Sequence, residues 1–64
     1  GLEVIERLEQ QAFDRLHPGG SLFVELSPMI ADEAEKWFSS KNRWASVSFV
    51  KDLAKHRRVL VAKK

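Results

Sequence analysis

A proline and two glycines followed at once by a short apolar run constrain this chain more than any other feature. Pro18, Gly19 and Gly20 predict a turn, because paired glycines adopt backbone angles that are closed to other residues. Residues 21–26 form an apolar run of strand length, and the Ser-Pro pair at 27–28 ends it. The pattern predicts a helix end, a reversal and a strand at the centre of an α/β layer.

Two amphipathic helices are predicted on either side of this strand. Apolar residues recur at helical spacing from about residue 2 to residue 16, and Ser27-Pro28 predicts the capped start of a second helix that runs to about Ser40. The polar face of the first helix is expected to carry Glu3, Glu6, Arg7, Glu9, Gln10 and Asp14. The apolar stripe of the second is expected to consist of Ile30, Ala34, Trp37 and Phe38.

The last third of the chain predicts two strands. From Trp44 to Val50 the pattern changes to period two, with Ala45, Val47 and Phe49 on one face. A polar connection then leads to an apolar strand from Arg58 to Ala62. Because this connection is short, antiparallel pairing of the two strands is favoured. The predicted fold class is therefore α/β, in the order α-β-α-β-β.

Length and composition limit the class of protein. The 64 residues, 1–64, make a single domain at most, and the chain has no cysteine that could stabilise it through disulfides or a thiolate metal site. No apolar run approaches the length of a membrane span, and no signal-peptide pattern opens the chain. These features favour an intracellular protein, with cytoplasm and mitochondrion both open. Gly1 in place of Met favours an engineered or processed fragment over a natural start.

The net charge of +2 hides a division between the two halves of the chain. Residues 1–35 carry eight acidic and two basic side chains, whereas residues 36–64 carry nine basic side chains and one acidic side chain. Such a division is found in nucleic-acid-binding proteins, and it also arises when two halves of one fold attract each other. The second interpretation is favoured, because the basic residues are scattered between apolar strand positions.

Several residues invite a functional interpretation, and a structural one fits each better. The Pro18-Gly19-Gly20 turn follows a helix and precedes a strand, which is the reverse of the order in a phosphate-binding loop. Ser27 is more readily a helix cap than part of an anion site. Glu25, near the carboxyl end of a strand, is a candidate active-site acid, although a solvated or paired glutamate is favoured.

The remaining polar residues form no recognisable site. His17 and His56 lack a metal-ligand spacing, and the acidic residues of the second helix indicate a solvated face (Asp32, Glu33, Glu35). A basic cluster could contact phosphates, but no exposed aromatic pair accompanies it (Lys55, His56, Arg57, Arg58). Trp37 and Trp44 are interpreted as packing residues. No catalytic, cofactor-binding or metal-ligating residue is assigned.

The whole chain nevertheless resembles the carboxyl-terminal segment of the HemK/PrmC family, the glutamine N5-methyltransferases that act on peptide-chain release factors. The resemblance is carried by residues 1–5 at the start of a helix, by residues 16–25 around the Pro-Gly-Gly turn, by Asp52-Leu53-Ala54, and by residues 58–62. One departure is Lys55, where the family usually has glycine.

The resemblance implies a fold and a function. The chain would form the last two helices and three strands of a Rossmann-like class I methyltransferase, in a mixed sheet whose final strand lies antiparallel between the other two. The parent enzyme would use S-adenosylmethionine, with a release factor as substrate. This fragment contains neither the family's Gly-rich cofactor loop nor its Asn-Pro-Pro-Tyr motif, so it is expected to be inactive alone. Its expected partners are the rest of the domain and a second copy of itself; the alternative is a stand-alone nucleic-acid-binding module.

Overall fold

The computed structural model describes residues 2–64, apart from the side chains of residues 57 and 58. The helices are α1 (Leu2–Arg15) and α2 (Pro28–Ser40), and the strands are β1 (Ser21–Glu25), β2 (Ser46–Lys51) and β3 (Arg57–Lys63). The predicted order α-β-α-β-β is confirmed. Within the described part of the chain, no helix combines the length and the apolar character needed to cross a bilayer.

The three strands form one sheet in the order β1-β3-β2. Both ladders are antiparallel: Val24 of β1 and Phe49 of β2 lie opposite Leu60 of β3 from its two sides. The final strand therefore lies between the other two, as expected. The expected mixed sheet is not found, because β1 and β2, which run in the same direction, are separated by β3.

The hydrophobic core lies between one face of this sheet and the two helices. Leu60 and Ala62 of β3 are fully buried, and Ile5 of α1 and Phe38 of α2 pack against them. Residues of all three strands complete this face, with Leu22 and Val24 from β1 and Val47 and Phe49 from β2. Alternation places these side chains on one side of the sheet, which the helices cover.

The other face of the sheet is largely open. Phe23 is 67 % exposed and Val50 is 55 % exposed. Phe23 lies opposite Val61, and Val50 lies opposite Val59, so apolar side chains continue across all three strands. Among the described residues β1 pairs only with β3. The structure thus has an exposed apolar sheet surface around Phe23, beside a strand edge.

The two glycines between α1 and β1 are required for different reasons. Gly19 has a φ of +87°, which disfavours residues with a side chain. At Gly20 a Cβ atom would lie 3.0 Å from the carbonyl oxygen of His17 and 3.1 Å from Cδ2 of Leu16. Gly19 N–H donates to the carbonyl of Lys64, and Gly20 N–H donates to that of His17. The turn predicted from Pro18, Gly19 and Gly20 is therefore present between α1 and β1.

Lys64 joins the end of β3 to the end of α1. Its backbone N–H donates to the carbonyl of Gly20, and its Nζ donates to the carbonyl oxygens of Phe13 and Leu16. Carbonyl groups in the last turn of a helix have no partner within the helix, and a cation is favoured there by the helix dipole. Lys64 therefore supplies an end for α1 from the opposite end of the sequence.

The start of α2 differs from the expected side-chain cap. Ser27 is in an extended conformation, but its hydroxyl makes no capping hydrogen bond. Its carbonyl oxygen instead accepts a hydrogen bond from Ile30 N–H at 3.2 Å. Pro28 occupies the first turn, where it has no N–H that needs a partner. The predicted start of α2 is confirmed, whereas the prediction that the Ser27 side chain caps the helix was wrong.

The connection between β2 and β3 is a tight turn stabilised by Asp52. Lys55 N–H donates to the Asp52 carbonyl at 3.0 Å, and His56 N–H donates to the Asp52 carboxylate at 2.9 Å. Lys55 then adopts a φ of +69°. A residue in this left-handed conformation commonly ends such a hairpin turn, and glycine is preferred there. The turn keeps its glycine-like conformation although a lysine occupies the position.

Replacing Lys55 by glycine is expected to stabilise the protein. Relief of the left-handed conformation outweighs the greater freedom of glycine in the unfolded chain, for a net gain of about 0.5–1 kcal/mol. Urea unfolding followed by tryptophan fluorescence measures the change. Lys55→Ala is the matched control, because it removes the same side chain and keeps the strain. An equal gain in both variants would contradict the explanation.

Candidate functional site

The most unusual side chain of the described structure is a carboxylate in the interior. Glu9 of α1 was expected on the polar face of the helix, and that prediction was wrong: its exposed fraction is 0 %. It lies one turn after the core residue Ile5 and one turn before Phe13, so it continues the buried stripe of α1. A buried carboxylate needs partners that compensate its lost hydration.

Those partners come from the segment that follows α2. Arg43 donates from Nε to Oε2 of Glu9 at 2.7 Å and from Nη2 to Oε1 at 2.8 Å. Trp44 donates from Nε1 to Oε2 at 2.9 Å. Glu9, Arg43 and Trp44 are named the Glu9 cluster below. Its hydrogen bonds join side chains that are separated by 34 and 35 positions in the sequence. The cluster therefore links the acidic half of the chain to the basic half.

The end of α2 and three aromatic contacts place the two donors. Asn42 adopts a φ of +58°, a helix-ending conformation that asparagine tolerates, and this turns the chain back towards α1. The Trp44 ring packs edge-on against Phe13 at 5.2 Å between centroids and beside Phe38 at 5.6 Å. The Arg43 guanidinium lies 4.5 Å from the Phe13 ring centroid. Trp44 was correctly interpreted as a packing residue, but its hydrogen bond was not foreseen.

The electrostatics of the cluster keep Glu9 charged. Burial by itself raises the pKa of Glu9, but hydrogen bonds from Arg43 and Trp44, with the positive charges of Arg43 and Lys41, outweigh burial and lower it. The hydrogen bond to Glu9 raises the pKa of Arg43, although the partial burial of Arg43 acts in the opposite direction. The negative charges of Glu9 and Asp14 raise this pKa further. A carboxylate held charged by these donors is a poor proton acceptor, so the cluster is suited to holding structure rather than to acid–base chemistry.

A polar groove of about 590 Å³ lies beside the Glu9 cluster, between α1 and the end of α2. Its described lining residues are Glu3, Glu6, Arg7, Glu9, Gln10, Trp37, Lys41 and Arg43. Lys41 Nζ lies 4.0 Å from the centroid of the Trp37 ring, a cation–π contact. The indole N–H of Trp37 is buried without a partner among the described atoms. Carboxylates and cations are equal in number in this lining, so the groove has no strong preference for either charge.

The residues considered from the sequence do not meet at one place. Glu25 is exposed at the end of β1, and Asp32 and Glu33 are exposed on α2, while Glu35 is half-buried. Within the described residues, no group of three or more His, Asp or Glu side chains is arranged to hold a metal ion. Both amides of the Gly19-Gly20 turn already donate within the protein. The turn therefore has no free N–H groups directed at a phosphate.

The basic cluster at the β2–β3 turn is described only in part. Lys55 and His56 are exposed, and His56 Nδ1 lies 3.6 Å from the Asp52 carboxylate. The side chains of Arg57 and Arg58, and all of Gly1, lie outside the described residues. No observation favours the nucleic-acid alternative.

Comparison with known proteins gives a more specific result. The chain is 39 % identical over all 64 residues to a protein of Rhodopirellula baltica named release factor glutamine methyltransferase. The aligned region is the C-terminal part of that protein. This chain is related to the C-terminal segment of the HemK/PrmC family. The resemblance inferred from the sequence is thereby confirmed.

The match covers all of this chain and only part of its relative. The chain spans 22 % of the length of this curated relative. No family model matches the chain, and no solved structure matches it. The relationship to the HemK/PrmC family thus rests on one match that covers this chain from end to end.

Proposed function

We propose that residues 1–64 are the C-terminal structural part of an S-adenosylmethionine-dependent methyltransferase that modifies a glutamine side chain of peptide-chain release factors. The observation that carries the proposal is the 39 % identity to the Rhodopirellula baltica protein across the whole chain. Because the chain spans only 22 % of that protein, the remaining part of the enzyme is its expected partner.

The sheet supports this assignment. The order β1-β3-β2, with the last strand antiparallel between its neighbours, is the arrangement that the family resemblance implies for the end of a Rossmann-like sheet. The open edge of β1 and the exposed Phe23 beside it suit a strand that continues into a larger sheet. Self-association through this edge, when the rest of the sheet is absent, stays a prediction.

The residues of this chain do not fit S-adenosylmethionine as a complete site. A cofactor loop of this class follows a strand and offers free backbone N–H groups, whereas the Gly19 and Gly20 amides are bonded to Lys64 and His17. The polar groove beside the Glu9 cluster is lined by the Arg43–Glu9 ion pair and by equal numbers of carboxylates and cations. We therefore propose that the fragment stabilises the sheet and does not transfer methyl groups alone.

The first experiment measures cofactor binding by the 64-residue chain. Calorimetry with S-adenosylmethionine is expected to detect no binding in the micromolar range. The control is the intact relative from Rhodopirellula baltica, measured in the same buffer. Micromolar binding by the isolated chain would contradict its inactivity as a fragment.

A chimaera tests the family role directly. The aligned C-terminal segment of the relative is replaced by residues 1–64, and methylation of a release factor is measured. The chimaera is expected to keep activity within about tenfold, whereas a chimaera carrying Leu60→Asp should lose it, because an unpaired buried charge disrupts the core. A folded but inactive chimaera that still binds S-adenosylmethionine would contradict the assignment to this enzyme class.

A further inference from the structure

We propose that the Glu9 cluster is an acid-sensitive latch that holds α1 against α2 and the sheet. The proposal concerns the fold of this chain and does not depend on the proposed enzyme activity. Glu9 lies on the buried side of α1, one turn after the buried Ile5 and one turn before the half-buried Phe13. The central attachment of this helix is therefore ionic, where amphipathic helices ordinarily have an apolar side chain.

The three hydrogen bonds to Glu9 come from two neighbouring residues in the segment between α2 and β2. Arg43 and Trp44 thus connect α1 to the segment that leads into β2. The side chain of Glu9 is 1 % exposed and that of Arg43 is 32 % exposed. Protonation of Glu9 would leave the guanidinium without its counter-ion and would remove at least one acceptor position, so the attachment depends on the charge of one carboxylate.

The charged groups around the Glu9 cluster determine the direction of the pH effect. Arg43 and Lys41 face Glu9 from the segment that follows α2, and Asp14 of α1 acts on Arg43. Lys64, which follows β3, lies over Phe13 with Nζ 4.3 Å from the ring centroid. Burial raises the pKa of Glu9, but the hydrogen bonds from Arg43 and Trp44 and the charges of Arg43 and Lys41 outweigh burial and lower it in the folded chain. The latch is thus fully closed above the ordinary pKa of a glutamate and opens as the pH falls through the lowered value.

Opening is expected to be local. The core contacts of α2 with β3 involve Phe38, Ala34 and Leu60, which are apolar and do not titrate. Protonation of Glu9 weakens α1 without removing those contacts. At acid pH the chain should therefore keep its sheet and α2 while α1 separates from them.

Nuclear magnetic resonance of the unmodified 64-residue chain between pH 7 and pH 2.5 tests this. The amide signals of α1 and the indole N–H signal of Trp44 should disappear at the same midpoint pH. That pH should equal the midpoint of the chemical-shift titration of the Glu9 carboxyl carbon. The amide signals of Leu60 and Ala62 should persist. Loss of α1 and β3 signals together, or an α1 that stays folded after Glu9 is protonated, would overturn the proposal.

Tryptophan fluorescence of two variants gives an independent measurement. Both variants also carry Trp37→Phe, so that Trp44 is the only tryptophan. Glu9→Met with Arg43→Met replaces the ion pair by apolar side chains of similar volume, an exchange that such pairs often tolerate. The acid-induced change in Trp44 emission should disappear in this variant and remain in Glu3→Gln, an exposed carboxylate on the same helix. If the double variant does not fold at pH 7, Glu9→Gln provides the same comparison. An unchanged acid transition in the variant that folds would refute the latch.

Discussion

Replacing Phe38 by alanine is expected to unfold most of the chain at room temperature. Phe38 is 1 % exposed and lies in the core between α2 and the sheet, beside Leu60 and Trp44. Truncation of a buried phenylalanine costs about 3–5 kcal/mol, because apolar contacts are lost and a cavity remains. Domains of this length have a total unfolding free energy of only roughly 3–10 kcal/mol.

Urea unfolding followed by far-ultraviolet circular dichroism measures this effect. Phe23→Ala is the matched control, since it makes the same chemical change at a side chain that is 67 % exposed. Its free energy of unfolding should change by less than about 0.5 kcal/mol. A similar loss in both variants would show that the open face of the sheet is covered in solution.

Replacing Arg43 by methionine is expected to have the second largest effect, a loss of about 3 kcal/mol at pH 7. The variant leaves the carboxylate of Glu9 buried without its cation, and of its three hydrogen bonds in the described structure only that from Trp44 remains. The partial exposure of Arg43 places the estimate at the lower end of the range for buried pairs. Arg7→Met is the matched control, because Arg7 is an exposed arginine that lines the same groove.

The pH dependence of this variant distinguishes an unpaired charge from lost packing. Without Arg43, burial is expected to outweigh the remaining effects of Trp44 and Lys41 and so to raise the pKa of Glu9. A carboxylate with a raised folded pKa contributes stability below that value and loses it as the pH rises. The deficit of Arg43→Met relative to the unmodified chain should therefore shrink between pH 7 and pH 4, as measured by urea unfolding. A deficit that is the same at both pH values would indicate that packing alone was lost.

The local pattern of the sequence predicted the elements well. The observed boundaries lie within about two residues of the predicted ones, because Pro18, Gly19, Gly20 and Pro28 interrupt the chain through their own backbone chemistry. The change from helical to period-two spacing likewise separated α2 from β2. The position of β3 between its neighbours came from the family resemblance, since the spacing of apolar residues does not determine which strands pair.

The candidate site was invisible to the same reasoning. Glu9 has the chemistry of a surface residue, and its burial depends on Arg43 and Trp44, which are 34 and 35 positions away. A signal was present in the spacing, because Glu9 stands midway between Ile5 and Phe13 on the apolar stripe. That spacing alone does not distinguish a buried carboxylate from a solvated one at the edge of the stripe.

The sequence by itself determined which segments are helices and strands, where turns interrupt them and to which family the chain is related. The elements and turns follow from backbone preferences and local periodicity, which neighbouring residues decide, whereas the family relationship follows from the ordered motifs that carry the resemblance. Only the tertiary structure decided that Glu9 is an interior anion, that Lys64 closes the end of α1, and that the face around Phe23 is open. These depend on contacts between distant segments, and such contacts exist only after the chain has packed.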